Sequence, residues 1–146
     1  MSSYQTILDT TGPDQPLANL IGGKWIASES SKSIPMTNPA TGQRIATVPL
    51  STVNEVERAV SAAKEAFLEW RQVPAVNRAR YLFRLHQLIE ENFEELSRIC
   101  TMENGKTLAE SRGEVIRTLE NVEVAAGMPS LQMGDFSSDI AAGFDE

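Results

Sequence analysis

The feature that most constrains this chain is one stretch of helical pattern, from about Val76 to Glu91. There Ala79, Tyr81, Leu82, Phe83, Leu85, Leu88 and Ile89 cover most of the circumference. An ordinary surface helix buries one stripe, whereas a helix apolar nearly all round must be covered on several sides. Such helices usually pack on a sheet, yet no buried Val/Ile-rich strand follows any of the helices before the sequence ends at Asp145-Glu146. The chain is therefore expected to be an incomplete unit, and the partner awaited by its helices is expected to be its own continuation.

The neighbouring helices are marked by their starts. Three candidate capping boxes occur, Thr52 with Glu55, Asn92 with Glu95, and Thr107 with Glu110. In each, a short polar side chain can accept an orphan first-turn amide while the acid three residues later reaches back. The first helix repeats Val56, Ala59, Val60, Ala63, Ala66, Phe67 and Trp70 at the helical period and ends before Pro74, so that face is expected to be core. The third presents Phe93, Leu96, Ile99 and Cys100 and stops at Gly105, a residue suited to a left-handed cap. The fourth runs from Leu108 through Val115, Leu119 and Val122 to about Gly127, where Pro129 is expected to interrupt it.

Before the helices the pattern is β and loop. Residues 1–17 mix Ser, Thr, Gln, Asp and Pro without a period and read as a flexible N-terminal arm. Gly22-Gly23 between Leu20-Ile21 and Lys24-Trp25-Ile26 can take positive φ at both turn positions, which predicts a β-hairpin. Ser33 to Met36 extends, Asn38 to Gly42 turns, and Arg44 to Val48 forms another strand ended by Pro49.

Composition narrows the class. With 146 residues, 41% hydrophobic and 23% charged, one soluble globular domain or part of one is expected. A net charge of −7 opposes nonspecific attraction to nucleic acid or anionic lipid, so neither is expected as a partner. The single cysteine excludes an intrachain disulfide, no signal segment is recognisable, and a reducing, cytoplasmic setting is expected. No apolar run approaches the roughly 20 residues of a membrane span.

The residues taken singly offer little chemistry. One His and one Cys without ligand spacing assemble no metal cluster. Cys100 shares the apolar stripe with Leu96 and reads as a structural thiol, and His86 reads as a packed or surface histidine with no acid or serine close by. The nine glycines contain no G-x-G-x-x-G or Walker pattern to cradle phosphate. Arg71, Arg78, Arg80 and Arg84 read as a solvated, salt-bridged surface, and Arg117 as a partner of Glu114 or Glu120 along its own helix. Glu103 to Thr107 reads as one helix end followed by the next N-cap.

The order of the pieces nevertheless resembles one family. LIGGKW, then NPATGQRIATVPLSTVNEVERAVSAAKEAFLEWR, then the R-x-R-x-x-x-L helix, then MENGKT are similar to the N-terminal region of the aldehyde dehydrogenase superfamily, over residues 18–146. Within it, GEVIRTLENVEVAAGMPSLQMGD is similar to a helix of the methylmalonate- and malonate-semialdehyde dehydrogenases. The resemblance implies an α/β fold, here incomplete. A β-hairpin and strands precede about four helices that would pack on a Rossmann-like sheet absent from this chain, with residues 18–146 forming the first part of the NAD-binding domain. It implies a parent enzyme in which a thiolate attacks the aldehyde, hydride passes to NAD, and the thioester is taken by coenzyme A. The nucleophile, cofactor strands and oxyanion-hole group of the family match nothing in this sequence, so no catalytic, metal or cofactor-binding residue is assigned and the isolated chain is expected to be inactive and without cofactor. The MENGKT turn lies near a monovalent cation site in relatives, and no ligand is assigned to it here. One residue carries over: Arg117 matches the arginine that holds the carboxylate of the semialdehyde. The implied partners are the remainder of the enzyme and further copies in a homo-oligomer. Two other readings stay open, a short helical protein-interaction module and a truncated inactive gene product.

Overall fold

The computed structural model describes residues 12–137 and 140–144. Two small antiparallel sheets precede four helices. Strand β1 (Asn19–Ile21) pairs with β2 (Lys24–Ile26), and Gly22 and Gly23 take φ of 58° and 75° between them. Two successive positive φ values give the turn whose twist matches that of the strands, as the Gly-Gly pair predicts. Strand β3 (Ser33–Thr37) pairs with β4 (Arg44–Pro49), setting Ile34 opposite Val48 and Met36 opposite Ala46. Their turn is closed by Asn38, whose side chain accepts from the Ala40 amide at 2.9 Å and whose carbonyl accepts from the Gly42 amide at 2.8 Å.

Thr47 fixes the start of the described chain. Its hydroxyl donates to the Pro13 carbonyl at 2.7 Å, and its own carbonyl accepts from the Leu17 amide at 2.9 Å. Of the arm expected to be flexible through residue 17, Pro13 to Leu17 is thus tied to β4, because bonded backbone gives the segment a partner that its composition does not reveal. Residues 1–11 lie outside the described residues, as does the end of the sequence at 145–146.

Helix α1 (Val53–Trp70) opens on the expected capping box: the Glu55 amide donates to the Thr52 hydroxyl at 3.3 Å, and the Thr52 amide to the Glu55 carboxylate at 2.7 Å. Glu55 is only 2% exposed, and its carboxylate also accepts from the Ser28 hydroxyl and the Glu29 amide, both at 3.1 Å. The Thr52 amide above all, with those other donors, pulls this carboxyl down to about 2, outweighing burial, which pushes the other way.

Helices α2 (Ala75–Glu91), α3 (Phe93–Asn104) and α4 (Leu108–Leu131) form a packed unit. Ala79 and Ile89 of α2 are buried, as are Val115 and Ala126 of α4, the two helices with the most extensive mutual contact. Ser97 of α3 and Ser111 of α4 are fully buried, and the Thr101 hydroxyl donates to that of Ser111 at 2.8 Å. Small side chains at the crossing let α3 and α4 approach, and the hydrogen bonds satisfy what burial would otherwise orphan. Arg112 of α4 grips Glu94 of α3 through Nε at 3.0 Å and Nη2 at 2.7 Å.

Three expectations need correction. Asn92 is no capping box: its backbone, at φ −111° and ψ 18°, joins α2 to α3 outside the extended region an N-cap requires, and its amide side chain donates back to the Leu88 carbonyl at 2.7 Å. Pro129 does not end α4, which continues to Leu131 with the Gln132 amide donating to the Met128 carbonyl at 2.9 Å. A proline this near a helix end removes one bond from a ladder already propagated. The apolar face of α1 is not core within this chain. Val56, Val60 and Phe67 are each more than half exposed, because α1 touches little besides β1. Tyr81 and Phe83 of α2 are likewise about two-thirds exposed.

Candidate functional site

The only residue to which the sequence gives a substrate role, Arg117, stands near the middle of α4. The start of that helix is set by two local devices. Gly105 ends α3 at φ 72°, and a Cβ there would lie 2.8 Å from Pro39 Cγ and 3.1 Å from the Ala40 nitrogen, so the α3–α4 junction sits directly on the β3–β4 turn. Two residues later Thr107 and Glu110 form the expected capping box, with the Glu110 amide donating to the Thr107 hydroxyl at 3.3 Å. Two segments that carried the family resemblance, the Asn38–Gly42 turn and the Glu103–Thr107 junction, therefore meet in space.

Between these devices Lys106 is directed toward α4. Its Nζ lies 3.3 Å from Glu114 Oε1, and Arg117 Nη1 donates to that same oxygen at 2.9 Å. Lys106 first, and Arg117 after it, hold the Glu114 carboxyl below the usual carboxylate range. The local pairing of Arg117 with Glu114 is the one expected from helical spacing, while Lys106 reaches Glu114 from outside the helix, where that spacing gives no signal. The Arg117 side chain is 66% exposed. Its guanidinium has five donors and the described partner uses one.

The other candidates have structural explanations. Cys100 is half-buried beside the Asn104 side chain, and no group of three His, Cys, Asp or Glu that could hold a metal exists among the described residues. His86 is not without acids: Nδ1 lies 3.3 Å from Glu90, one turn on, and Nε2 lies 3.0 Å from Glu123 of α4. Glu123 is 37 positions away in sequence, which is why only the packing of α2 on α4 reveals it. Among the described residues Arg71, Arg78, Arg80 and Arg84 form no ion pair, contrary to the salt-bridged surface expected. Arg71 instead lies over the Phe67 ring, 5.7 Å from its centroid. Arg78 lines a cleft of about 250 Å³ between α2 and α4, with Trp70, Tyr81, Met128, Pro129 and Gln132. The Arg78 Nε is buried there without an acceptor among the described residues. No described helix is long and apolar enough to cross a membrane.

A model of the aldehyde dehydrogenase family matches residues 25–142, and the chain belongs to that family. Within it, the chain is 54% identical over 129 residues to malonate-semialdehyde dehydrogenase 2 of Geobacillus thermodenitrificans. It is 52% identical over 131 residues to malonate-semialdehyde dehydrogenase of Bacillus pumilus. These alignments take 88% and 90% of this chain but 27% of each relative. Among solved structures, methylmalonate-semialdehyde dehydrogenase of Oceanimonas doudoroffii superposes with a TM-score of 0.79 at 37% identity, covering 90% of this chain and 27% of that one. A protein of Sinorhizobium meliloti described as a methylmalonate-semialdehyde dehydrogenase and solved with NAD gives 0.78 at 34%, with the same coverage. The chain thus spans about a quarter of the length of the relatives it matches. The two hairpins and four helices have the aldehyde dehydrogenase fold over that quarter.

Proposed function

We propose that this chain is the N-terminal part of an NAD-dependent, CoA-acylating malonate- or methylmalonate-semialdehyde dehydrogenase, and that Arg117 binds the carboxylate of its substrate. The observation that carries the reading is the 54% identity to a malonate-semialdehyde dehydrogenase across 88% of the chain. In this reading residues 18–146 form the first part of the cofactor domain. The remainder of the enzyme covers the exposed faces of α1 and α2, and the complete protein assembles with further copies of itself in the cytoplasm.

NAD and coenzyme A would supply hydride acceptance and acyl acceptance, but the described residues do not fit either group. Their sheets are two-stranded and antiparallel, and they present no glycine-rich turn between a parallel strand and a helix N-terminus. No step of the oxidation is therefore assigned to this chain. What the chain contributes is recognition. The Arg117 guanidinium can take a planar carboxylate through two parallel hydrogen bonds, fixing one end of a semialdehyde so that the aldehyde end is presented in a single orientation.

The test is made in the full-length enzyme. Arg117→Ala should raise KM for a carboxylated semialdehyde by about 10- to 100-fold more than for an unsubstituted aliphatic aldehyde, the range expected for losing a charged hydrogen bond. Equal effects on the two substrates would leave Arg117 as no more than the helix-surface partner of Glu114.

A further inference from the structure

Glu114 presents one oxygen to two cations from different parts of the chain. Arg117 reaches Oε1 from three residues along the same helix, at 2.9 Å, and Lys106 reaches it from the α3–α4 junction, at 3.3 Å. The two cations are not equally free. Lys106 follows Gly105, which is seated on Pro39 and Ala40, and precedes the Thr107 cap, so its backbone is held on both sides. Its side chain is 28% exposed against 66% for Arg117. One partner of Glu114 is thus largely covered and the other stands mostly in solvent, open to an incoming anion.

A guanidinium that is to bind an incoming carboxylate must first give up the carboxylate it already holds. If Glu114 had Arg117 as its sole partner, every binding event would break that ion pair with only water to replace it, and the loss would be subtracted from affinity. We propose that Lys106 retains the Glu114 carboxylate when Arg117 turns to the substrate, so that the three residues form a handover device and Lys106 is a positioning residue for carboxylate specificity. This rests on the reading of Arg117 as the substrate-carboxylate ligand. The three side chains together carry one net positive charge, which matches a single substrate carboxylate.

The experiment is a double-mutant cycle in the full-length enzyme, read as the KM for the carboxylated semialdehyde divided by the KM for an aliphatic aldehyde. Lys106→Gln should raise this ratio about 5-fold, the upper end for a partly exposed ion pair, because Glu114 then competes undivided for Arg117. In a Glu114→Gln background the competitor is gone, and adding Lys106→Gln should leave the ratio unchanged. Lys106→Arg should restore most of the wild-type ratio. An equal rise in both backgrounds would mean that Lys106 acts only through its charge at a distance, and a fall in kcat shared by both substrates would mean that it only supports the fold. Either result overturns the handover. Arg117→Ala distinguishes the two levels: if it is unselective, the reading of Arg117 fails, whereas a selective Arg117→Ala with an additive cycle removes the handover alone.

Discussion

Helix α1 and the α2–α4 unit start from similar sequence and end differently. Both α1 and α4 open on complete capping boxes, and both α1 and α2 carry an apolar face. Yet α4 buries Val115 and Ala126 and closes over Ser97 with Ser111, while the apolar face of α1 leaves Val56, Val60 and Phe67 more than half exposed. A cap and a periodic stripe specify that a helix forms and which side it will offer. They do not specify what will cover that side, and in a chain spanning 27% of its relatives the two can come apart.

The sharpest way to break the comparison is to overfill the α3–α4 crossing. Ser111→Leu forces a large side chain into a fully buried position and removes the acceptor of the Thr101 hydroxyl. Unfolding in urea should show a loss of about 3 kcal/mol, and a change under 1 kcal/mol would mean the crossing is looser than its burial indicates. Next comes Gly105→Ala, which combines a left-handed backbone with a contact against Pro39. It should cost about 2 kcal/mol, against about 1 for Gly22→Ala, which has the positive φ but open space around it. Equal losses at the two glycines would separate the junction from the β3–β4 turn.

An acid titration addresses the buried carboxylate at the start of α1. The Glu55 carboxyl lies below its ordinary value of 4.5, at about 2. Its contribution is therefore fully present above about 4.5 and is lost as pH falls toward about 2. Carbon-detected NMR of the Glu55 carboxyl should place its midpoint near the lower figure, and a midpoint at the ordinary value would mean that the Thr52 amide, with Ser28 and Glu29, does not hold it in solution. The smallest effect is expected on the open face of α1. Val60→Ser should alter the stability of this chain by less than about 0.5 kcal/mol, as is usual for exposed positions. In the full-length enzyme the same substitution should cost more, about 1 kcal/mol or above, if the remainder of the enzyme covers that face as proposed.

Much of the fold was legible because its signals are local. Gly22-Gly23, Asn38 with Gly42, Thr52 with Glu55, Gly105, and Thr107 with Glu110 each act through backbone geometry within a few residues, and each behaves as its sequence context predicts. Asn92 shows the limit of spacing alone. It has the right residue types three apart, but the direct continuation of α2 into α3 leaves its backbone in the wrong region to cap. What could not be read were the meetings of distant segments. Glu123 against His86, Ser28 and Glu29 around Glu55, and Pro13 under Thr47 are all set by packing or by chain crossing that no local pattern announces. The candidate site divides in the same way. Glu114 beside Arg117 follows from helical spacing, while Lys106 reaches it from outside the helix, at the junction carried by the β3–β4 turn.

That junction turns a surface hairpin into a spacer of fixed height. Exposed turns ordinarily tolerate a change of length, since the strands below them can keep their pairing. Here the turn between Asn38 and Gly42 also bears the end of α3 through the contact of Gly105 with Pro39 and Ala40. One residue inserted into the turn would leave β3 and β4 paired while lifting the seat, and the next side chain along from Gly105 is that of Lys106. The length of a loop near residue 40 would thus be felt as a change in how tightly an arginine near residue 117 is held.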